Sequence, residues 1–323
     1  MVSADFNSTI DQNLKLELAA VLDCYRSYIE TLPVDVRQHG MKIADLKTEL
    51  SPGRLSVLTL PFWLGETFGI ELETQRLLSK ANLFGLQHFT AQDNLVDQEW
   101  NDEIRTSLVI LGTLCLQQMF EIYHKFFPPD SQFWLFVDKY WREWAGSLIW
   151  ERQAKIQTSF SDDELIMAAR KAAPLKICTT GIALLGNKLY LIPTLEIAVD
   201  KMHMVMQMAD DLVDLEEDLA GNHYNTFLSM MEVRGSINHA TSKDIDHIGR
   251  ILFSNGVEQE FFLRMQKIAE EFQNLVEGLH LEEWENLVAL IVQEAQLIVS
   301  HHLETIVPKD LNSVFVSAES VNK

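Results

Sequence analysis

The stretch QMADDLVDLEEDL, residues 207–219, holds six carboxylates among thirteen residues, yet Met, Leu and Val are threaded through it. On an α-helix advancing about 100° per residue, Asp214 falls about 40°, Asp218 about 80° and Asp211 about 100° from Asp210, with Glu217 at about −20°. Five of the six carboxylates thus share one face, Gln207 joins it one turn earlier, and Glu216 points elsewhere. Met208, Leu212, Val213 and Leu215 take much of the remaining circumference, the pattern of a largely buried helix. Side-by-side burial of ionised carboxylates is costly unless cations compensate. No Lys or Arg lies between Lys201 and Arg234 to do so. Two readings compete: an acidic face that meets water, or a set of oxygen ligands for a hard divalent ion such as Mg²⁺.

Residues 92–99, QDNLVDQE, bear on the choice. Asp93 and Asp97 stand at i and i+4 with Asn94 beside them, an echo of DDLVD at 210–214. This copy also lies in an apolar helical pattern, FGLQHFTAQDNLVDQEW. One Asp pair at this spacing is a weak signal. Two pairs on separate long helices are a stronger one, because facing helices can clamp metal ions between them.

The rest of the chain suits that picture. Its 323 residues carry a net charge of −21, with 47% hydrophobic and 23% charged residues, enough to bury a sizeable core. Such acidity argues against nucleic acid or an anionic membrane as a partner, unless metal cations intervene. Only 14 Gly and 8 Pro interrupt it, and apolar residues recur at three- and four-residue spacing. The expected fold is all-α, with helices over 11–31, 55–79, 82–99, 102–126, 131–157, 162–181, 188–220, 243–253, 256–276 and 281–305. Ser161 with Glu164 has capping-box spacing, and Asp130 or Ser131 is a candidate cap for the next aromatic helix. We expect one domain over residues 1–308 and a poorly ordered tail over 309–323. Cys24, Cys115 and Cys178 read as reduced thiols, and no secretory leader or membrane span is visible. A cytoplasmic protein is the expectation.

With both aspartate motifs in view, the sequence resembles the class I isoprenoid synthase superfamily, the trans-prenyltransferases and class I terpene cyclases. QMADDLVD is similar to the QxxDDxxD second motif of the prenyltransferases, and DNLVD to their DDxxD first motif with Asn94 in place of an Asp. The resemblance implies a single large helical bundle around a central active-site cavity, in which about three Mg²⁺ ions hold a substrate diphosphate. It implies metal ligation by Asp93, Asp97, Asp210, Asp211 and Asp214. Asp218 is a ligand or an orienting group, and Asn94 and Gln207 are secondary candidates. RKAAPLK at 170–176 resembles the KTAxLF segment of prenyltransferases, with Lys171 in the Lys position and Arg170 beside it. Pro174 is expected to break that helix. Phe89, four residues before Asp93, matches the bulky residue that limits chain length in prenyltransferases.

The departures from the family pattern point one way. Gly221 is followed by Asn222, where a diphosphate-contacting base is usual. PGRLSVLTLPFWLGE keeps only Arg54 of the basic segment that binds isopentenyl diphosphate. Near the first motif only Arg105 stands where an Arg pair is usual. The machinery for one diphosphate is kept and that for a second is eroded. The expected activity is therefore a Mg²⁺-dependent terpene synthase, ionising and cyclising a linear C15–C25 prenyl diphosphate. Alternatives are a trans-polyprenyl diphosphate synthase, by elongation or head-to-head condensation, and a non-catalytic helical partner of such an enzyme. Homodimerisation is a superfamily expectation.

Other features carry blander readings. The aromatics Phe133, Phe136, Tyr140, Trp141 and Trp144 read first as core, with a cation-facing role in reserve. His88 reads as a hydrogen-bonded core histidine. His203 lies on the motif face two turns before Asp210, without an assigned role.

Overall fold

Small polar residues start the helices where apolar periodicity begins. The computed structural model describes residues 10–42, 52–97, 101–154, 161–221, 223–233 and 257–306. Asp11 accepts the Leu14 N–H at 2.8 Å to cap α1 (Gln12–Glu30), and Asn101 accepts the Ile104 N–H to cap α5 (Asp102–Tyr123). Ser161 and Glu164 form the expected capping box ahead of α7 (Asp162–Ala169). Before α6 (Phe133–Gln153) it is Ser131 that accepts the Phe133 N–H, at 3.2 Å. The remaining helices are α2 (Val34–Met41), α3 (Pro52–Thr67), α4 (Leu72–Asp97), α8 (Leu175–Leu185), α9 (Ile192–Val213), α10 (Leu215–Gly221), α11 (Thr226–Val233), α12 (Val257–Val276) and α13 (Glu282–Ile306). No strand occurs among the described residues, so the architecture is all-α.

The helix boundaries differ from expectation at four places. The run expected over 55–79 breaks at Gly69, whose φ of +72° ends α3 in the left-handed region. Ile70 N–H bonds the Gly65 carbonyl at 2.8 Å and Gly69 N–H bonds that of Glu66, the paired closure of a Schellman turn. Apolar periodicity continues through this turn and hides it. With no breaker at Lys80 or Ala81, α4 then runs unbroken for 26 residues and includes both Phe89 and Asp93. Pro174 does divide the segment expected over 162–181, leaving a 3₁₀ turn at Arg170–Ala172 between α7 and α8. The acidic helix stops at Val213, and Asp214 caps it with φ −93° and ψ 10° before α10 begins. Helix α2 had no forecast at all. The helix expected over 243–253 and the tail over 309–323 lie outside the described residues.

Helix α9 occupies the centre. It packs against α7, α8, α12 and α13, while α4 packs against α1, α3 and α5. Leu195, Val199, Met202, Val205, Met208 and Leu212 of α9 are buried, each worth about 1.5–3 kcal/mol against full exposure. Across from them Trp284 is fully buried and donates Nε1–H to the Met202 sulfur at 2.9 Å. Helix α9 is thus anchored along one side, and its other stripe is left for a cavity shared with α4.

Candidate functional site

A cavity of about 390 Å³ opens between α4 and α9. From α4 it is lined by Asn82, Gly85, Leu86, Phe89, Thr90 and Asp93, a stripe at three- and four-residue spacing. From α9 and its cap come His203, Met206, Gln207, Asp210 and Asp214. Both stripes run from an apolar body to a carboxylate rim. Asp93 is eleven residues beyond Asn82, so the cavity is about 16 Å deep along α4. Tyr123 and Met119 of α5 close its inner end, and Tyr123 O–H donates to Asn82 Oδ1 at 3.3 Å.

The rim is electrostatically strained. Burial, then the charge of neighbouring Asp214, pushes the Asp210 carboxyl up to about 6, with Lys171 pulling the other way. Asp214 is raised by burial and by Glu217, again against Lys171. Lys171 lines the cavity from the 3₁₀ turn, and its ammonium meets Glu151 of α6 at 2.6 Å. The Pro174 break thus sets one cation opposite the second motif. Behind it, Lys176 is 1% exposed and pairs with Glu143 at 2.8 Å and Asp200 at 2.6 Å, fixing α8 to α6 and α9.

Two carboxylates of the acidic stretch do something other than line the cavity. Asp211 is 2% exposed and accepts hydrogen bonds from Gln207 Nε2 at 2.7 Å and from the Thr226 backbone N–H at 2.7 Å, and a further one from the Thr226 hydroxyl. Asn225 donates Nδ2 to the Asp211 carbonyl at 2.7 Å and to Asp218 at 2.9 Å. Its Oδ1 in turn accepts the N–H groups of Phe227 and Leu228. These residues satisfy the first N–H groups of α11, which would otherwise be orphaned in the interior. Burial raises Asp211 to about 7, opposed by its hydrogen-bond donors. The single carboxylate face expected from helix geometry is therefore divided, with Asp210 and Asp214 in the cavity wall and Asp211 and Asp218 in a capping network. The break at Asp214 is the reason for Asp218, and the α11 terminus is the reason for Asp211.

The other expected residues separate similarly. Phe89 is in the wall, its ring 5.1 Å from that of Trp144 and 5.4 Å from that of Trp141. Trp144 reaches the cavity, whereas Phe133 and Tyr140 are fully buried in the core. Arg170 shares the turn of Lys171, but its charge is felt at Asp200 and it is not in the wall. Arg54, in the first turn of α3, is half-buried and also outside the wall, as is Asn94. Asp97 ends α4, and its side chain lies outside the description, as does Asn222. His88 bonds the Gly112 carbonyl through Nδ1 at 2.9 Å and is a core histidine. His203 bonds the Val199 carbonyl at 2.9 Å, and burial pushes its imidazole down to about 4, so a neutral ring faces the cavity.

The chemistry of the rim fits a hard divalent ion. Among the described residues no three His, Cys, Asp or Glu side chains are gathered closely enough to hold one unaided. Mg²⁺ is commonly held by one or two carboxylates, with water and substrate phosphates completing the shell. Asp93 from one side and Asp210 with Asp214 from the other supply such partial sets.

Neither a family model nor a curated protein matches the sequence. Solved structures do match in shape. A decaprenyl diphosphate synthase from Rhodobacter capsulatus superposes with a TM-score of 0.70 at 13% identity, covering 88% of this chain and 98% of that one. The chain has the isoprenoid synthase fold. A heptaprenyl diphosphate synthase from Staphylococcus aureus (TM-score 0.69, 13% identity, 88% and 99% of the two chains) is similar to the same extent. So is a geranylgeranyl pyrophosphate synthetase from the archaeon Geoglobus acetivorans (TM-score 0.67, 15% identity, 87% and 99%). No helix among the described residues is long and apolar enough to cross a membrane. The isoprenoid synthase fold accounts for the helical cavity, and the chemistry rests on the side chains lining it.

Proposed function

We propose that this chain binds an allylic prenyl diphosphate through Mg²⁺ at the Asp93, Asp210 and Asp214 rim and ionises it, with the prenyl chain in the apolar body below. One observation carries the reading: aspartates from two separate helices and Lys171 meet at the mouth of a cavity walled by Phe89, Leu86, Met119 and Trp144. Mg²⁺ and Lys171 would neutralise charge developing on the leaving diphosphate. Below the carboxylate rim, the weakly basic His203 and the aromatic faces of Phe89 and Trp144 leave no strong base among the described residues, which suits a carbocation. Asp211, held by Gln207 one turn earlier on α9, positions Asp210 and Asp214 by tying the end of α9 to Thr226 at the head of α11.

The three similar structures are chain-elongating enzymes by their names. They favour trans-prenyl diphosphate synthesis over the cyclisation that the sequence suggested, and we take elongation as the first reading. Cyclisation of a single prenyl diphosphate is the second, favoured by Arg54 lying outside the cavity wall. Product analysis with C10, C15, C20 and C25 allylic diphosphates, with and without isopentenyl diphosphate, separates them. Longer diphosphates formed only when isopentenyl diphosphate is added support elongation. A hydrocarbon or alcohol from the allylic substrate alone overturns that reading in favour of cyclisation.

A further inference from the structure

The last turn of α6 touches both sides of the cavity mouth. Glu151 reaches Lys171, opposite the second motif. Its neighbour Arg152 reaches the other way, donating Nη1 to the Val96 carbonyl in the final turn of α4, between Asp93 and Asp97. Lys171 is the one Lys or Arg in the cavity wall among the described residues, and Glu151 already holds it. A second fixed cation at this rim would add to what Mg²⁺ and Lys171 supply to a diphosphate. Arg152 is exposed, and a backbone carbonyl engages one of the five donors a guanidinium carries. Its planar fork matches phosphate oxygens, which a capping interaction with the α4 carbonyls does not require.

We propose that Arg152 is a diphosphate-binding residue of this site, delivered from the end of α6 over the first aspartate motif. This inference rests on the proposed function. It supplies a base at the first motif, where the sequence offers only Arg105 after it, from a helix some fifty residues further along the chain. Glu151 and Arg152 together then link the two halves of the mouth: one holds the cation of the break, the other contributes its own.

The test is calorimetric titration of inorganic diphosphate with Mg²⁺ into the wild type, Arg152→Gln, Arg152→Lys and Arg142→Gln. Arg142 is an exposed α6 residue paired with Asp138, and its variant controls for the loss of one charge. The expected result is a weakening of about tenfold or more in Arg152→Gln, a smaller loss in Arg152→Lys, and little change in Arg142→Gln. Undiminished affinity in Arg152→Gln, with or without a lower melting temperature, would reduce Arg152 to a helix cap and overturn the inference. If Arg152→Gln does not fold, Arg152→Lys decides: affinity equal to the wild type overturns it. A wild type that binds no diphosphate defeats the proposed function and this inference together, whereas binding that Arg152→Gln leaves intact defeats this inference alone.

Discussion

At the scale of single residues, neighbouring aspartates have been given different work by a few hydrogen bonds. Asp210 and Asp211 are adjacent and both are pushed up by burial, yet one faces a cavity and the other a helix terminus. Asp93, Asp210, Asp214, Gln207, Lys171 and Phe89 all line the cavity; the family resemblance pointed to Lys171 and Phe89, and helix spacing to the rest, because it records which side of a helix residues share. It could not record that Thr226 and Asn225 return to claim Asp211 and Asp218. The signal was present in NTFLSMM, where Asn precedes Thr at the head of an apolar run, the pattern of a helix start. Thr226→Val removes the hydroxyl donor to Asp211 and keeps the backbone one. Chemical denaturation should show a loss of about 1–3 kcal/mol, and Thr226→Ser should recover most of it. An unchanged midpoint in Thr226→Val would show that the hydroxyl adds nothing to the cap.

At the scale of elements, the helix breaks build the site. The α3–α4 turn is carried by Gly69 alone, and a Cβ there would meet nothing within 4 Å. Gly69→Ala therefore tests backbone conformation without a packing change, and should destabilise the chain by about 1 kcal/mol. A stabilised variant in denaturant unfolding would contradict the left-handed assignment. The Pro174 break was legible because proline cannot continue a helix, and it is what presents Lys171 to Asp210 and Asp214. In Pro174→Ala the helix can close across residues 170–174 and carry Lys171 away. Turnover should fall about tenfold or more while far-ultraviolet circular dichroism shows equal or greater helix content. Full turnover with that helix content would show that the break is dispensable. Gly69 escaped the sequence reading because one glycine inside a continuous apolar pattern looks like a tolerated helix residue.

At the scale of the whole molecule, a chain of net charge −21 has placed several aspartates around one cavity mouth, and its stability should depend on what fills that mouth. The folded carboxyls of Asp210 and Asp211, at about 6 and about 7, lie above the ordinary carboxylate value of 3.8. A raised folded pKa gives stability that is present at low pH and lost as pH rises through the folded value. His203, pushed down to about 4, acts oppositely below its ordinary 6.5. The carboxylate effect is therefore cleanest above pH 6.5, where histidine is mostly neutral in both states. The metal-free chain should melt lower at pH 8.5 than at pH 6.5. Stabilisation by Mg²⁺ with diphosphate should be larger at pH 8.5, since ligation needs ionised carboxylates. A melting temperature that rises with pH between 6.5 and 8.5 in the absence of metal would contradict the raised carboxyl of buried Asp211, the group that titrates in this window.

The central claim is that the two facing motifs ionise an allylic diphosphate. It is tested most directly by measuring diphosphate release from C10–C25 allylic diphosphates, with and without isopentenyl diphosphate, in the presence and absence of Mg²⁺. The wild type should release diphosphate only with Mg²⁺, and Asp93→Asn and Asp210→Asn should each lose about a hundredfold or more of that rate with helix content unchanged. Release that persists in both variants, or a wild type that releases none from any of these substrates, would contradict it.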